Sequence, residues 1–324
     1  MPRLRRHGNS AAGSAIHAGL VGKRALIGTR YLADAELRRQ YERDIAPRTL
    51  AALGKVLAQL FPAGAVAPRR ALDLGAGTGA AGAALRVAFG AELEIVSVDR
   101  VASPGVVVAD LAAGLPPVSG RFDLIVAAHL LGELHVGRAA GERAVARAAR
   151  VRAWVGGLLA PGGTLVIIEP ALRETSRELL AVRDLLLSQA AQPALTVVAP
   201  CFWAGPCPAL ERERDWCHDA APVPSSPRVD FSYLVLRERV ATDPAAVDPK
   251  LIRVVSDPLP EKGKLKIYGC GATGRHLLER LDRDRAQANA AFGQLRRGDT
   301  ARIGETGDGG RITAATTVAR GIIR

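Results

Sequence analysis

Between residues 69 and 240 the apolar positions fall in short, nearly unbroken runs: RRALDLG (69–75), ELEIVSVD (92–99), VVVAD (106–110), FDLIVAAH (122–129), GTLVIIEP (163–170), TVVAPC (196–201) and FSYLVLRE (231–238). Unbroken apolar runs belong to strands covered on both faces, so they predict a mainly parallel sheet. The stretches 78–89, 138–159 and 171–190 have the three-to-four-residue apolar period of crossover helices. Upstream, Leu32, Leu37, Tyr41, Ile45, Leu50, Leu53 and Leu57 recur at helical spacing, and Pro47 divides that segment into two helices. A Pro/Gly-rich link, 61–68, joins it to the sheet. After residue 240 the pattern becomes irregular, with a Lys-rich strand near 262–268, a helix near 275–292 and short hairpins over the Gly/Thr-rich end. The predicted organisation is a basic arm and helical segment (1–66), an α/β domain (67–240) and a C-terminal extension (241–324).

The first strand runs into Asp73-Leu74-Gly75-Ala76-Gly77-Thr78-Gly79 and then a helix. Glycines at a strand-to-helix turn let the backbone approach a ligand, and the helix N-terminus faces it. Gly75, Gly77 and Ala80 also satisfy G-x-G-x-x-A, the dinucleotide fingerprint. Three features favour S-adenosylmethionine (SAM) over a nicotinamide cofactor. Asp73 stands two residues before the first glycine, where a carboxylate suits a cationic ligand. Asp99 ends the second strand, placed to accept hydrogen bonds from ribose hydroxyls. The run LLAPGGTLVIIEP resembles the helix-end and fifth strand of class I methyltransferases, and Asp110 falls where the resemblance implies contact with the adenine. The cofactor set is thus Asp73, Gly75, Gly77, Gly79, Asp99 and Asp110.

Acceptor chemistry is less visible. The fourth strand leads into His129-Leu130-Leu131-Gly132-Glu133-Leu134, with no Asn/Asp-Pro-Pro-aromatic element to hold an amine. His129, Glu133 and His135 lie near the expected pocket mouth as candidate general bases, with helix caps or satisfied polar pairs as the alternative. Pro200-Cys201 lies after the sixth strand, not after the fourth where a C5-directed RNA methyltransferase commonly carries its nucleophilic Cys.

Charge adds a partner. The net charge is +12; residues 1–60 carry 11 Lys+Arg against 4 acids, 61–227 carry 15 against 16, and 228–324 carry 18 against 12. Basic flanks around a neutral middle point to a polyanion, although Arg-rich, Ala/Gly-rich composition alone produces a similar excess. Nothing indicates DNA specifically. No segment reads as a membrane span, and the N-terminus lacks the apolar run of a secretory signal, so a cytoplasmic (bacterial) location is expected ahead of the mitochondrial matrix.

All four cysteines lie in the C-terminal half, as C-x5-C-x9-C-x52-C: Cys201, Cys207, Cys217 and Cys270. Four thiols can complete a tetrahedral zinc site or hold a 4Fe–4S cluster, or they can be unrelated. The short paired knuckles of zinc ribbons are absent, and long gaps around Pro suit the bulkier cluster better. The Cys-rich stretch 199–220 is therefore a candidate metal-binding loop, in which His218, next to Cys217, is an alternative ligand or, more in keeping with its place, a supporting hydrogen-bond donor.

Taken together, A-L-D-L-G-A-G-T-G, H-L-L-G-E-L, A-P-C-x5-C-P, D-W-C-H, F-S-Y-L-V-L-R and the lone later Cys resemble the methyltransferase-like assembly factors of the small ribosomal subunit, over roughly residues 30–285. The resemblance implies a class I SAM-dependent methyltransferase fold, Rossmann-like with seven strands, and binding to the maturing small subunit and its rRNA. It also implies a 4Fe–4S cluster on Cys201, Cys207, Cys217 and Cys270. Lys262, Lys264 and Lys266, which share one face of their strand, are then either a solvated strand edge or a phosphate-facing ridge, one that Arg296 and Arg297 and the N-terminal Arg3, Arg5 and Arg6 would extend. Catalysed methyl transfer, a non-catalytic RNA-binding platform and a small-molecule methyltransferase remain distinct expectations.

Overall fold

A computed structural model describes residues 14–188, 192–224, 226–239 and 248–321. Arg3, Arg5 and Arg6 lie outside the described residues. Short helical turns at Ala15–His17, Ala18–Gly22 and Tyr31–Ala33 lead into two longer helices, α1 (Ala35–Asp44) and α2 (Ala46–Leu60). Asp34 caps α1 by accepting the Leu37 N–H, and Pro47 sits in the first turn of α2, where its missing N–H costs nothing.

The strands that follow are β1 (Arg70–Leu74), β2 (Glu94–Asp99), β3 (Val106–Val108), β4 (Phe122–Ala128), β5 (Leu159–Pro170), β6 (Leu195–Ala199), β7 (Asp219–Val223) and β8 (Ser226–Glu238). Helices α3 (Ala80–Phe89), α4 (Ala140–Leu158) and α5 (Arg173–Leu186) form the crossovers. The sheet order is β3-β2-β1-β4-β5-β8-β6, with β7 pairing to β8. The first five strands are parallel, while β8 inserts antiparallel between β5 and β6. That order, with its reversed strand, is the class I methyltransferase fold. The sheet has eight strands rather than seven because the chain after the Cys-rich stretch returns as β7 before entering β8.

Alternate residues of each central strand enter different cores. Leu72, Ile125, Ala127, Leu165 and Ile167 pack beneath Trp154 and Val151 of α4, together with α5. Ala71, Leu124, Val126, Val166 and Ile168 pack against α2 and α3. Burial on both faces is why these strands read as continuous apolar runs.

Residues 251–321 build a second sheet: β9 (Leu251–Val254), β10 (Leu259–Glu261), β11 (Lys264–Gly271), β12 (Gly274–Leu281), β13 (Thr300–Ile303), β14 (Arg311–Ile312) and β15 (Val318–Gly321), ordered β14-β12-β11-β9-β13-β15. It has its own core around Val254, Ile267, Phe292 and Ile312. The helix expected over 275–292 is not there. Gly271 pairs with Gly274, a tight hairpin that fixes residues 274–281 antiparallel to β11, and only short 3-10 stretches, Asp282–Asp284 and Gln287–Gln294, follow. The run His276 to Leu281 mimics helical spacing, but Leu278 and Arg280 alternate inward as strand residues. No helix of the described residues is long and apolar enough to cross a membrane.

Candidate functional site

The glycine loop is set by backbone geometry. Gly75, Gly77 and Gly79 have φ of 74°, 54° and 86°, the left-handed region that side chains resist. A Cβ on Gly75 would fall 3.0 Å from Leu130 Cδ1, and one on Gly77 3.1 Å from Leu32 Cδ1. Gly79 is the N-cap of α3. Asp99 binds the loop: Oδ2 accepts the Gly77 N–H at 2.9 Å, and Oδ1 accepts the Val101 N–H at 2.8 Å.

Gly75, Gly77, Asp99 and Asp110 line one cleft at the C-terminal ends of the parallel strands, where ligands of open α/β sheets bind. Asp110 accepts the Ala112 N–H at 2.9 Å, which holds its turn. Asp73 does not line the cleft. It is buried under the loop, where Oδ2 accepts the Gly82 N–H at 3.2 Å and Oδ1 has no partner. Burial pushes its pKa up to about 7.

The cleft has a roof that the sequence did not announce. Thr29, Arg30, Tyr31 and Leu32 line it with Tyr41, held over the loop by a small core of Ile16, Leu20, Leu32 and Tyr41. Arg100 clasps this cap, donating to Gly28 O at 2.9 Å and to Thr29 O, and pairing with Glu133 at 3.1 Å. Tyr31 donates its hydroxyl to Glu133 at 3.0 Å. A usable signal was present: two of the chain's four tyrosines fall within residues 31–41.

The three candidate bases separate. Glu133 is committed to the clasp, and burial lifts it to about 7. His135 lines neither the cleft nor the cavity beside it. His129 lines both, at φ 57°, with its Nδ1 enclosed and unpartnered and burial pushing its pKa down to about 4. A fourth group emerges in Glu169 at the end of β5. It is buried, accepts the Gly132 N–H at 3.0 Å, and is raised to about 7 by burial. Arg147 of α4 pins the same 129–134 segment through Gly132 O and Leu134 O.

Cys201, Cys207, Cys217 and Cys270 line one cavity between the two sheets. Cys201 follows β6, Cys207 opens a 3-10 turn with its N–H on Asp184, Cys217 precedes β7, and Cys270 stands in β11. Among the described residues no group of three or more His, Cys, Asp or Glu side chains stands in metal-holding geometry. The thiols share a wall without forming a ready ligand set. Burial and neighbouring thiols push Cys207 up to about 12 and raise Cys217 and Cys270. Arg183, Arg253 and Arg275 line the same cavity; Arg183 Nε and Arg253 Nη1 are buried without partners. His218 stacks on Trp216 and lies off this cavity's wall.

The basic positions differ in availability. Lys264 lies 3.0 Å from Glu279, and Lys266 lies 2.9 Å from Glu261, so both face acids on flanking strands. Arg297 donates to Val255 O and pairs with Asp257. Lys262 and Arg296 are exposed, and among the described residues the Arg296 guanidinium donates to backbone carbonyls while its backbone N–H donates to Asp299.

A family model described as mitochondrial small ribosomal subunit Rsm22 matches residues 39–282. No curated protein sequence matches. Among solved structures the chain is similar to the plantazolicin methyltransferase BpumL in complex with S-adenosylhomocysteine (SAH): 13% identity, 70% of this chain and 100% of that one, TM-score 0.40. It is also similar to the N-methyltransferase NodS of Bradyrhizobium japonicum (16%, 64% and 94%, TM-score 0.37). A third is TrmN of Thermus thermophilus (17%, 63% and 53%, TM-score 0.36).

Proposed function

The chain belongs to the Rsm22 family of mitochondrial small ribosomal subunit proteins, and on that premise we propose that it binds SAM and acts on the small ribosomal subunit through its rRNA. The observation that carries the cofactor reading is the convergence of Gly75, Gly77, Asp99 and Asp110 on one cleft under the cap. The bare glycines leave room for the ligand's methionine and ribose moieties. Asp99 keeps carboxylate lone pairs for ribose hydroxyls beside its two backbone bonds, and Asp110 faces the adenine. Gly79 starts the helix, and Asp73 supports the loop from below. SAM supplies a methyl group on a sulfonium; the chain's own residues orient it and exclude water. Titration with SAH by calorimetry tests this, with Asp99→Ala expected to weaken binding at least tenfold. An Asp99→Ala protein that binds as tightly as wild type overturns the assignment.

We further propose a structural 4Fe–4S cluster on Cys201, Cys207, Cys217 and Cys270. Four thiolates around such a core, or around zinc, carry net negative charge. The three arginines on the cavity wall, two with unpartnered N–H groups, suit an anion there. Cluster binding would draw the thiols together and tie the 201–217 stretch to β11. Anaerobic purification with iron, sulfide and zinc analysis is the test; stoichiometric zinc without iron overturns the cluster in favour of zinc. Cys270→Ser should lose the metal and lower solubility. For the RNA-facing surface, Lys262 and Arg296 are the better candidates, and Lys264, Lys266 and Arg297 are weaker ones because acids already face them. The working compartment is whichever houses the ribosome, bacterial cytoplasm or mitochondrial matrix.

A further inference from the structure

A second cavity of about 300 Å³ adjoins the cofactor cleft. The two share Tyr31, Tyr41, His129 and Glu133 as a common wall. Its far side is built from the ends of β5 and β8 and the start of α5, and its roof from Leu20, Val21 and Ile27 of the N-terminal cap. The four shared side chains are therefore the lining that cavity and cleft have in common. Resting on the SAM reading above, we propose that this cavity receives one nucleotide flipped out of RNA and presents its exocyclic amine to the methyl group across His129.

Four observations select that acceptor. The volume lies at the lower end of small-molecule sites, suited to one nucleotide and too small for a helix of RNA. Apolar side chains, Leu20, Val21, Ile27 and Phe231 among them, offer surfaces to the faces of a planar base. Arg24 and Arg48 line the cavity without an ion pair among the described residues, unlike many arginines of this chain. They supply positive charge where a flipped nucleotide brings its phosphate. Glu169, raised to about 7 by burial, can donate to a ring acceptor as well as accept, while Glu133 on the shared wall stays tied to Tyr31 and Arg100.

The proton chemistry weighs against two competing acceptors, a lysine amine and a pyrimidine carbon. The amine lone pair forms the N–C bond as the S–C bond breaks, with the bonding electrons remaining on sulfur. The amine then sheds one proton, which His129, lining both the cleft and the cavity, is placed to accept. An exocyclic base amine is a strong acid once methylated, so a weak base suffices. A lysine side chain must instead lose its proton before reaction, and an imidazole depressed to about 4 cannot remove it. Methylation at a pyrimidine carbon requires a nucleophilic thiol, and all four cysteines line the other cavity.

The test titrates SAH-saturated protein with AMP, CMP, GMP and UMP, followed by calorimetry and ligand-observed NMR. At least one amino-bearing nucleotide should bind tenfold or more tightly than UMP, which has no exocyclic amine. Ala171→Phe and Val21→Trp, which fill the cavity from opposite sides, should each weaken that binding at least tenfold while SAH affinity stays within twofold. The unchanged SAH affinity also reports that each variant is folded. Nucleotide binding indifferent to both substitutions, or UMP bound as well as the others, overturns the acceptor pocket. So does displacement of the nucleotide by a lysine-bearing peptide. Failure of SAH itself to bind wild type would instead sink the cofactor reading on which this one rests.

Discussion

Asp73 stands in the glycine motif, yet its carboxyl is enclosed, accepts one backbone bond and touches no cleft. Burial raises it from 3.8 to about 7, with Asp99 adding repulsion. A carboxyl whose folded pKa is raised favours the folded state most when protonated. Its contribution is fully present below the unfolded value and is lost as pH rises through the folded one. Between those values Asp73 therefore makes the cofactor-free protein less stable as pH increases. Glu133 and Glu169 act in the same sense, while His129, depressed to about 4, acts in the opposite sense below its ordinary value. Comparing wild type with Asp73→Asn isolates the one group. Urea unfolding should show the variant more stable at about pH 8 by on the order of 1–3 kcal/mol, with the difference shrinking toward about pH 5. A pH-independent difference would mean that Asp73 is not protonated on folding. Gly75→Ala makes a second residue-scale case. It meets both a positive φ and Leu130, so about 1–3 kcal/mol of stability should be lost in thermal unfolding, together with SAH affinity. Gly79→Ala faces only the conformational cost, since nothing lies within 4 Å.

At the scale of elements, the join between the sheets includes one buried carboxylate. Asp219, at the start of β7, pairs with Arg253 of β9 at 2.7 Å and with Lys55 of α2 at 2.8 Å; Asp219 and Arg253 are almost wholly buried. Arg253 also lies over the Tyr233 ring at 5.5 Å. Removing one partner of a buried pair leaves an uncompensated charge, so Asp219→Ala should cost about 3–5 kcal/mol. Hydrogen exchange should then rise first in β7 and β9; a change confined to β7 would show that the pair does not couple the sheets. None of this was legible in the sequence, because the partners stand 34 and 164 positions from Asp219. The central strands were legible for a local reason: burial on both faces demands apolar runs, and these survive in one dimension. The 275–292 segment misled for the converse reason. Its apparent helical spacing is set aside by a glycine hairpin and by pairing with β11, both decided in three dimensions. The cap was missed because its core draws on residues 16–41, whose bonds to Arg100 and Glu133 are non-local.

Across the whole molecule, the +12 charge overstates what an RNA would meet. In the second sheet, Lys264, Lys266, Arg302, Arg311 and Arg320 each face an acid, and on the first domain Arg143 and Arg147 share Glu178. A cation already paired releases fewer counterions on meeting a phosphate, since its own acid must first be displaced or remain as a neighbour. The salt dependence of rRNA-fragment binding should therefore follow the unpaired cations, not the composition. Removing one cation that neutralises a phosphate should reduce the slope of log K against log salt by about 0.7–0.9. Lys262→Ala combined with Arg296→Ala should flatten the slope by roughly twice that amount and weaken binding for every sequence tested. Lys264→Ala combined with Lys266→Ala should leave the slope nearly unchanged, although it removes the same formal charge. Fluorescence anisotropy with a labelled rRNA fragment over a salt series distinguishes the two. Equal flattening by both pairs would show that RNA displaces Glu261 and Glu279 from their lysines, and that the strand face as a whole meets the phosphates.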